Sequence, residues 1–185
     1  RTSVCCFSGY RPEKMPHGYQ ENSRLFAELQ MDLCQAIRRA HAQGCLHFLS
    51  GMTAGLILAV LALRGEGLPI DLWAAVAFPD MHTRWELLWQ ARYRHILTQA
   101  SQIFHIFPQY TPECYTVRDR FLVDHSSRCI CFFDGTAGGT AYTVKYAQKS
   151  HLVIDNLADN QLSLFDDVSI QKLHMPPFWR THSFS

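Results

Sequence analysis

The chain has 185 residues, which fits a single domain with its own hydrophobic core. Its 17 Lys and Arg residues nearly balance 16 Asp and Glu residues, and the net charge of +1 excludes a strong overall attraction to nucleic acid or to an anionic membrane. Hydrophobic residues make up 48% of the chain, and this fraction excludes a largely disordered protein.

Apolar runs alternate with helical periodicity along the first half of the chain. A predicted strand over residues 4–8 is followed by a loop rich in proline and glycine, and then by a helix that Asn22 or Ser23 caps and Gly44 ends. The next predicted elements are a strand over 46–49, a helix over 53–64 and a strand over 70–78.

The same alternation continues in the second half. The predicted elements are a helix over 84–100, a strand over 102–107, a helix over 116–126, a strand over 128–133, a helix over 139–149 and a strand over 151–155. We therefore expect one domain over residues 1–157 and a C-terminal tail over 158–185.

This order of elements predicts an α/β fold, a Rossmann-like three-layer sandwich. Continuous apolar strands joined by helices are typical of a mainly parallel sheet with helices on both faces. In such folds, ligands bind where the strands end and the helices begin, at the carboxyl ends of the strands.

One apolar segment, residues 45–63, is about as long as a membrane span. Ser50, Gly51 and Gly55 interrupt it, and a buried strand, turn and helix would have the same composition. We favour the buried unit over a membrane span. We also expect no targeting segment at the start of the chain, and a cytoplasmic protein.

The 7 cysteines and 10 histidines do not show the spacing of a metal site. The cysteines are interpreted as reduced thiols. Cys129 and Cys131 are two positions apart in a predicted strand, so they share one face and are expected to pack as small hydrophobic residues. We expect no metal ion.

Three glycine turns follow predicted strands: the first is SGYRP (8–12), the second SGMTAG (50–55) and the third DGTAGGT (134–140). Free backbone N–H groups and the positive end of a helix dipole favour a phosphate or a carboxylate at such turns. The turns lack the Walker and GxGxxG patterns, and the glycines would also suit tight turns and close packing alone. The predicted ligand residues in the turns are Gly9, Tyr10, Arg11, Ser50, Gly51, Met52, Thr53, Gly55, Asp134, Gly135, Gly138, Gly139 and Thr140.

Arginine side chains are the other candidates for an anionic ligand, because the guanidinium group suits phosphate. Arg11 lies in the first turn, and we favour a ligand over a surface ion pair as its partner. Of Arg118 and Arg120, on one predicted helix, we expect one to point inward and one into solvent; Arg118 is the predicted ligand residue. Tyr10 would stack on a base or pack in the core.

Several of these stretches together resemble a known family: SGYRP (8–12), FLSGMTAG (48–55), RDRFLVDHSSRCICFFDG (118–135) and GGTAYTVKYAQK (138–149). They look like the YpsA/YoqJ-like family of the SLOG superfamily. This superfamily is Rossmann-like and includes the LOG-type phosphoribohydrolases and DNA-processing protein A. The resemblance runs from Val4 to Asp155 and implies a site for a nucleotide or a nucleotide derivative, built from the second and third turns.

Two departures from these patterns bear on catalysis. The family usually has an acidic position after its first glycine turn, in the form GxDxxAAE, whereas Gly55 here leads into an apolar run that reaches no carboxylate before Glu66. The LOG-type enzymes carry PGGxGTxxE, and their catalytic glutamate has no counterpart after Gly139 and Thr140. Whether the chain is an enzyme therefore stays open.

Hydrolysis of an N-glycosidic bond commonly needs a carboxylate, and three aspartates are weak candidates for that role. Asp134 ends a strand, but an aspartate before glycine often bonds its own backbone. Asp119 would equally pair with Arg118 or Arg120 on the helix surface. Asp124 lies beside His125 near a helix end.

Three functions follow from these observations. The leading one is a sensor or regulatory module that binds a nucleotide-like small molecule, with no further cofactor. The alternatives are a phosphoribohydrolase-type enzyme and a scaffold or DNA-associated protein. The near-neutral charge weighs against direct DNA binding. We also expect a homo-oligomer.

Overall fold

The computed structural model describes residues 2–9, 24–52, 54–85 and 87–158. Strands and helices alternate along this part of the chain, in the predicted order. The elements are β1 (Val4–Ser8), α1 (Arg24–Ala42), β2 (His47–Ser50), α2 (Ala54–Gly65), β3 (Asp71–Val76), α3 (Leu87–Gln99), β4 (Gln102–His105), α4 (Cys114–Asp124), β5 (Arg128–Cys131), α5 (Gly139–Lys149) and β6 (Val153–Asn156).

Several strands are shorter than predicted. β3 ends at Val76 instead of residue 78, and β5 ends at Cys131 instead of residue 133. Ala77 and Phe132 are buried beyond these strand ends, because the chain continues through the core before it turns. An apolar sequence indicates burial, and here burial extends past the last residues of the strands, where the Phe132 amide still donates a hydrogen bond to the Ser8 carbonyl at 3.1 Å.

The six strands form one sheet in the order β4-β3-β2-β1-β5-β6. Every neighbouring pair is parallel. The strand order reverses direction between β1 and β5, and this is the position where doubly wound sheets open a crevice for ligands. The predicted Rossmann-like α/β architecture is confirmed.

Hydrophobic cores lie on both faces of the sheet, because successive side chains of a strand point to opposite faces. Cys5 and Phe7 of β1 pack with residues of α1 and α2, such as Leu33. Cys6 packs on the other face with residues of α4 and α5. Cys129 and Cys131 lie with Cys6 in that second core, so the prediction that they share one face and pack as hydrophobic residues is confirmed.

The apolar segment that resembles a membrane span is divided between β2 and α2, and α2 has 12 residues. Within the described ranges, no helix is both long and apolar enough to cross a membrane. The same ranges contain no cluster of three or more His, Cys, Asp or Glu residues suited to a metal ion, and the described cysteines are free thiols.

β6 is an edge strand of the sheet, and its last residue, Asn156, forms hydrogen bonds with the chain just after β5. The Asn156 side chain accepts a hydrogen bond from the Phe133 amide and donates one to the Phe133 carbonyl, each at 3.0 Å. Leu157 is fully buried after it. The division of the chain into a domain over 1–157 and a tail stays a prediction, and residues 159–185 lie outside the described part.

Tyr93 of α3 is buried among aromatic side chains, and its hydroxyl has no hydrogen-bond partner among the described residues. Burial and the nearby Asp80 raise the pKa of Tyr93 to about 12. We expect Tyr93→Phe to raise the free energy of unfolding by about 1 kcal/mol at pH 7, because a buried hydroxyl without a partner is destabilising.

The same shift predicts a pH dependence. Because the pKa of Tyr93 in the folded state is raised above the usual value of 10, the folded protein holds the phenol proton more tightly than the unfolded chain. The free energy of unfolding is unaffected by the ionisation of this group below pH 10 and falls as the pH rises towards 12. Urea unfolding at several pH values should show a steeper loss of stability in the parent than in Tyr93→Phe. Parallel curves for the two proteins would contradict the assignment.

Candidate functional site

The described residues of the predicted turns lie along one edge of the sheet. β2, β1 and β5 are neighbours, so the residues that directly follow these strands lie at the same carboxyl edge, the edge where the strands end. Gly9 follows β1, Gly51 follows β2, and Gly55 lies in the first turn of α2. Tyr10, Arg11 and Thr53 lie outside the described residues, so their predicted roles stay predictions.

A hydrogen bond to the side chain of Ser50 stabilises the second glycine turn. The Ser50 hydroxyl is buried and accepts a hydrogen bond from the Met52 amide at 3.1 Å. Met52 has a φ of 71°, a left-handed conformation that is uncommon outside glycine. Such backbone conformations concentrate at functional turns, where surrounding contacts keep them in place.

The third glycine turn is exposed from Asp134 to Gly139, directly before α5. The Asp134 carboxylate accepts hydrogen bonds from the amide and the hydroxyl of Thr136, at 3.0 and 2.8 Å. This is the local turn bond that the sequence left as one alternative for Asp134. The carboxylate is therefore occupied in shaping the turn.

Gly138 is the residue before α5 and has φ 154° and ψ −166°, a conformation that is essentially restricted to glycine. It gives the helix no side-chain cap. The N-terminus of α5, with its positive dipole end, therefore lies behind an exposed glycine backbone. Thr140, in contrast, is buried, and its predicted contact with a ligand stays a prediction.

Arg118 of α4 connects the second turn with the region of the third. It donates a hydrogen bond to the Gly51 carbonyl at 2.8 Å, and two more to one oxygen of Asp119 at 2.8 and 3.1 Å. Its side chain is 15% exposed, whereas Arg120 is exposed. The prediction that one arginine points inward and the other into solvent is confirmed.

Gly51 leaves room for this arginine. A Cβ atom at position 51 would lie 3.0 Å from Cζ and Nε of Arg118, closer than ordinary van der Waals contact. The glycine therefore allows the guanidinium group to lie directly against the turn. This close approach, more than conformational freedom, explains a glycine at position 51.

Asp119 is buried and faces the start of α5. While Oδ1 accepts the Arg118 hydrogen bonds, Oδ2 lies 3.9 Å from where a Cβ atom of Gly139 would be. The sequence left open a pair with Arg118 or Arg120 on the helix surface. The pair forms with Arg118, but it lies in the interior, beside the second turn and near the start of α5.

Asp124 lies away from the turns. It is exposed at the end of α4 and accepts a hydrogen bond from the Tyr146 hydroxyl at 3.0 Å. Tyr146 is two turns along α5 from Gly139, a separation of about 10 Å. The neighbouring His125 ring contacts the Phe121 carbonyl instead, at 2.9 Å.

The outer surface of α4 and α5 carries an arginine between two tyrosines. Arg120 donates a hydrogen bond to the Tyr142 hydroxyl and lies 5.9 Å from the ring centres of Tyr142 and Tyr146. The hydrogen bond to Tyr142 raises the pKa of Arg120, and the one to Asp124 raises the pKa of Tyr146. Arg120 and Asp124 are exposed, the two tyrosines are half-buried, and the described residues contain no metal-binding cluster there.

The sequence predictions missed three aromatic residues at the carboxyl edge, which we name the aromatic wall: Phe78, Tyr110 and Tyr115. The Phe78 ring contacts both tyrosines edge to face, with centroids 5.5 Å from Tyr110 and 6.1 Å from Tyr115. Arg118 lies 5.5 Å from the Tyr115 ring centre, so the wall adjoins the second turn. Phe78 ends the predicted strand over 70–78, and the two tyrosines lie between the predicted strand over 102–107 and the predicted helix over 116–126, where no local pattern marks a ligand residue.

A comparison with known families agrees with this architecture. The family model YpsA, described as the YspA SLOG family, matches residues 5–162 of the chain. A comparison with curated proteins gives no significant match. The family match covers β1 to β6 together with the second and third glycine turns. The chain therefore belongs to the YpsA family of SLOG proteins.

Proposed function

We propose that this protein binds a nucleotide or a nucleotide-derived small molecule at the carboxyl edge of its sheet and acts as a sensor or regulatory module. One observation carries the proposal: the exposed third turn leads into the N-terminus of α5, which has no side-chain cap, and the buried Asp119, which pairs with Arg118 beside the second turn, lies near that N-terminus. Membership of the SLOG family supports a nucleotide-related role.

The chemistry of the turns suits an anionic ligand. Backbone N–H groups at a helix N-terminus favour phosphate, and the glycine at 138 lets a ligand approach the backbone closely. Arg118 and Asp119 form a pair without net charge, which leaves the positive potential of α5 largely in place. Binding through backbone groups needs no catalytic side chain, which fits a sensor.

The proposal also covers the cellular location of the protein, its oligomeric state and its contact with DNA. Free cysteines in the described residues support a reducing compartment, and we propose the cytoplasm. A homo-oligomer is proposed because the described parts of β4 and β6 each pair on one side only, and unpaired strand edges are surfaces for association. Direct contact with DNA is not proposed, since the net charge is +1.

The second candidate function is hydrolysis of an N-glycosidic bond, and the position of Asp119 favours it over other enzymatic roles. Asp119 is the one of the three candidate carboxylates that is buried at the turns, with Oδ2 towards α5. A carboxylate there could support a developing ribosyl cation or orient water. Chromatography of each binding nucleotide after incubation with the protein would detect a released base; no release excludes this function.

The proposal is tested by a thermal-shift screen of the parent and of Gly139→Asp against nucleotides and their derivatives. A ligand at 100 times its Kd stabilises by about 2.7 kcal/mol and should raise Tm by about 5–10 °C. Gly139→Asp should lose this shift, because its carboxylate would lie at the N-terminus of α5 and repel an anion.

Gly139→Ala is the matched control for this screen. Its methyl group would meet Asp119 at an ordinary contact distance of 3.9 Å, so the fold and the ligand shift should be retained. If no nucleotide raises the Tm of the parent at saturating concentration, the proposed function is wrong. An equal shift in Gly139→Asp would place the ligand elsewhere.

A further inference from the structure

We propose that the aromatic wall of Phe78, Tyr110 and Tyr115 binds the base of a nucleotide whose phosphates lie at the N-terminus of α5. This inference rests on the proposed function and deepens it. The ligand would then be a nucleotide that needs both its base and its phosphates for affinity, rather than a free phosphate or a sugar phosphate.

The wall presents an aromatic surface to solvent. Both tyrosine rings stand nearly perpendicular to the Phe78 ring, at 78° for Tyr110 and 74° for Tyr115. Phe78 and Tyr115 are half-buried against the core around Val76 and Cys114. Tyr110 is 61% exposed, although a tyrosine offers a large apolar ring. An exposed ring with a fixed neighbour is a surface on which a planar base can stack.

The wall is continuous with the second glycine turn. The Gly51 carbonyl contacts Arg118, the Arg118 guanidinium lies over the Tyr115 ring, and Tyr115 contacts Phe78. Met52 of the second turn packs against the same core as Phe78 and Tyr115. These contacts place the wall directly beside the second turn, at the carboxyl edge where the proposed ligand binds.

The spacing of the sheet sets the length of this ligand. β5 and β3 are three strand spacings apart, about 14 Å along the carboxyl edge. A compact anion at α5 does not reach the end of β3. A nucleoside diphosphate combines a charged end with a planar ring at the other end, and this is the chemistry that the two parts of the site would recognise.

The exposure of Tyr110 makes the inference testable, because truncation of an exposed side chain leaves the core intact. Titration calorimetry would compare the parent, Tyr110→Ala and Tyr110→Phe, with the four common ribonucleoside diphosphates and with inorganic pyrophosphate. We expect Tyr110→Ala to weaken the best-bound diphosphate by about 10-fold or more, whereas its affinity for pyrophosphate stays unchanged. Tyr110→Phe keeps the ring and should bind like the parent.

Tyr146→Ala is the matched control, because it removes a tyrosine ring on the outer face of α5, away from the wall, and should leave both affinities unchanged. Nucleoside diphosphate affinity within two-fold of the parent in Tyr110→Ala would overturn the inference. Binding of pyrophosphate as tightly as of every nucleoside diphosphate would overturn it too, but would leave the anion site in place. No binding of any of these probes by the parent would overturn the inference, whereas the proposed function is decided separately by the thermal-shift screen against nucleotides and their derivatives.

Discussion

Arg118→Ala is expected to lower the free energy of unfolding by about 3 kcal/mol, measured by urea denaturation at pH 7. The change removes the partner of a carboxylate that stays buried, since the Asp119 side chain is only 12% exposed. It also leaves the Gly51 carbonyl without the hydrogen bond from Arg118. Removal of one member of a buried pair is more destabilising than the pair is stabilising, because the remaining charge is not compensated.

Arg120→Ala is the natural control for this prediction, since it removes an exposed arginine two positions away on the same helix and should change stability little. Arg118→Lys keeps the charge but loses the planar guanidinium group that donates hydrogen bonds to Gly51 and Asp119 together. We therefore expect its free energy of unfolding to lie between those of the parent and Arg118→Ala. Asp119→Asn added to Arg118→Ala should recover part of the stability. A loss in Arg118→Ala no larger than in Arg120→Ala would show that the buried pair does not stabilise the fold.

Gly138→Ala is expected to destabilise the protein by about 2 kcal/mol, again by urea denaturation. The backbone at 138 adopts φ 154° and ψ −166°, which a residue with a Cβ atom rarely occupies. The cost is conformational, because among the described residues no heavy atom other than those of the chain neighbours lies within 4 Å of the added Cβ atom. The turn would relax towards a permitted conformation and shift the amides that open α5.

Gly139→Ala separates this backbone effect from a general intolerance of the turn to side chains. Gly139 begins α5, where its backbone is helical, and an alanine would make only an ordinary contact with Asp119. Its stability should equal that of the parent or exceed it slightly, because alanine has fewer unfolded conformations than glycine. Equal losses in both variants would show that the conformation of Gly138 is not what the turn requires.

The order of the elements was predictable because each element depends on neighbouring residues. β1 was predicted at its observed bounds from five apolar or small residues before a loop, and α5 from a glycine pair before a run of helix formers. The strand order was not predicted, since it depends on pairing between distant residues. Cys5 lies opposite Arg128, and no local pattern in the sequence indicates that pair.

The site was predictable to the same extent. Glycines and strand ends located the turns, but the residues Arg118, Asp119 and Arg120 point in successive directions around a helix, and only packing decides which are buried. The structure places Arg118 and Asp119 inside and Arg120 outside. The aromatic wall was missed because Tyr110 and Tyr115 belong to a loop and a helix start, where aromatic residues have no local signature.

The central position of β1 has a consequence for how the protein is made. β1 ends at Ser8, whereas its second neighbour in the sheet, β5, begins at Arg128, so β1 is synthesised well before it can pair with β5. Pairing over such a distance requires closure of a long loop before stabilising contacts form. A nascent chain that stops short of β5 has the first and second turns but lacks the third, so a ligand held across them would stabilise only completed molecules. Ligand supply would then act on the yield of finished protein as well as on its function.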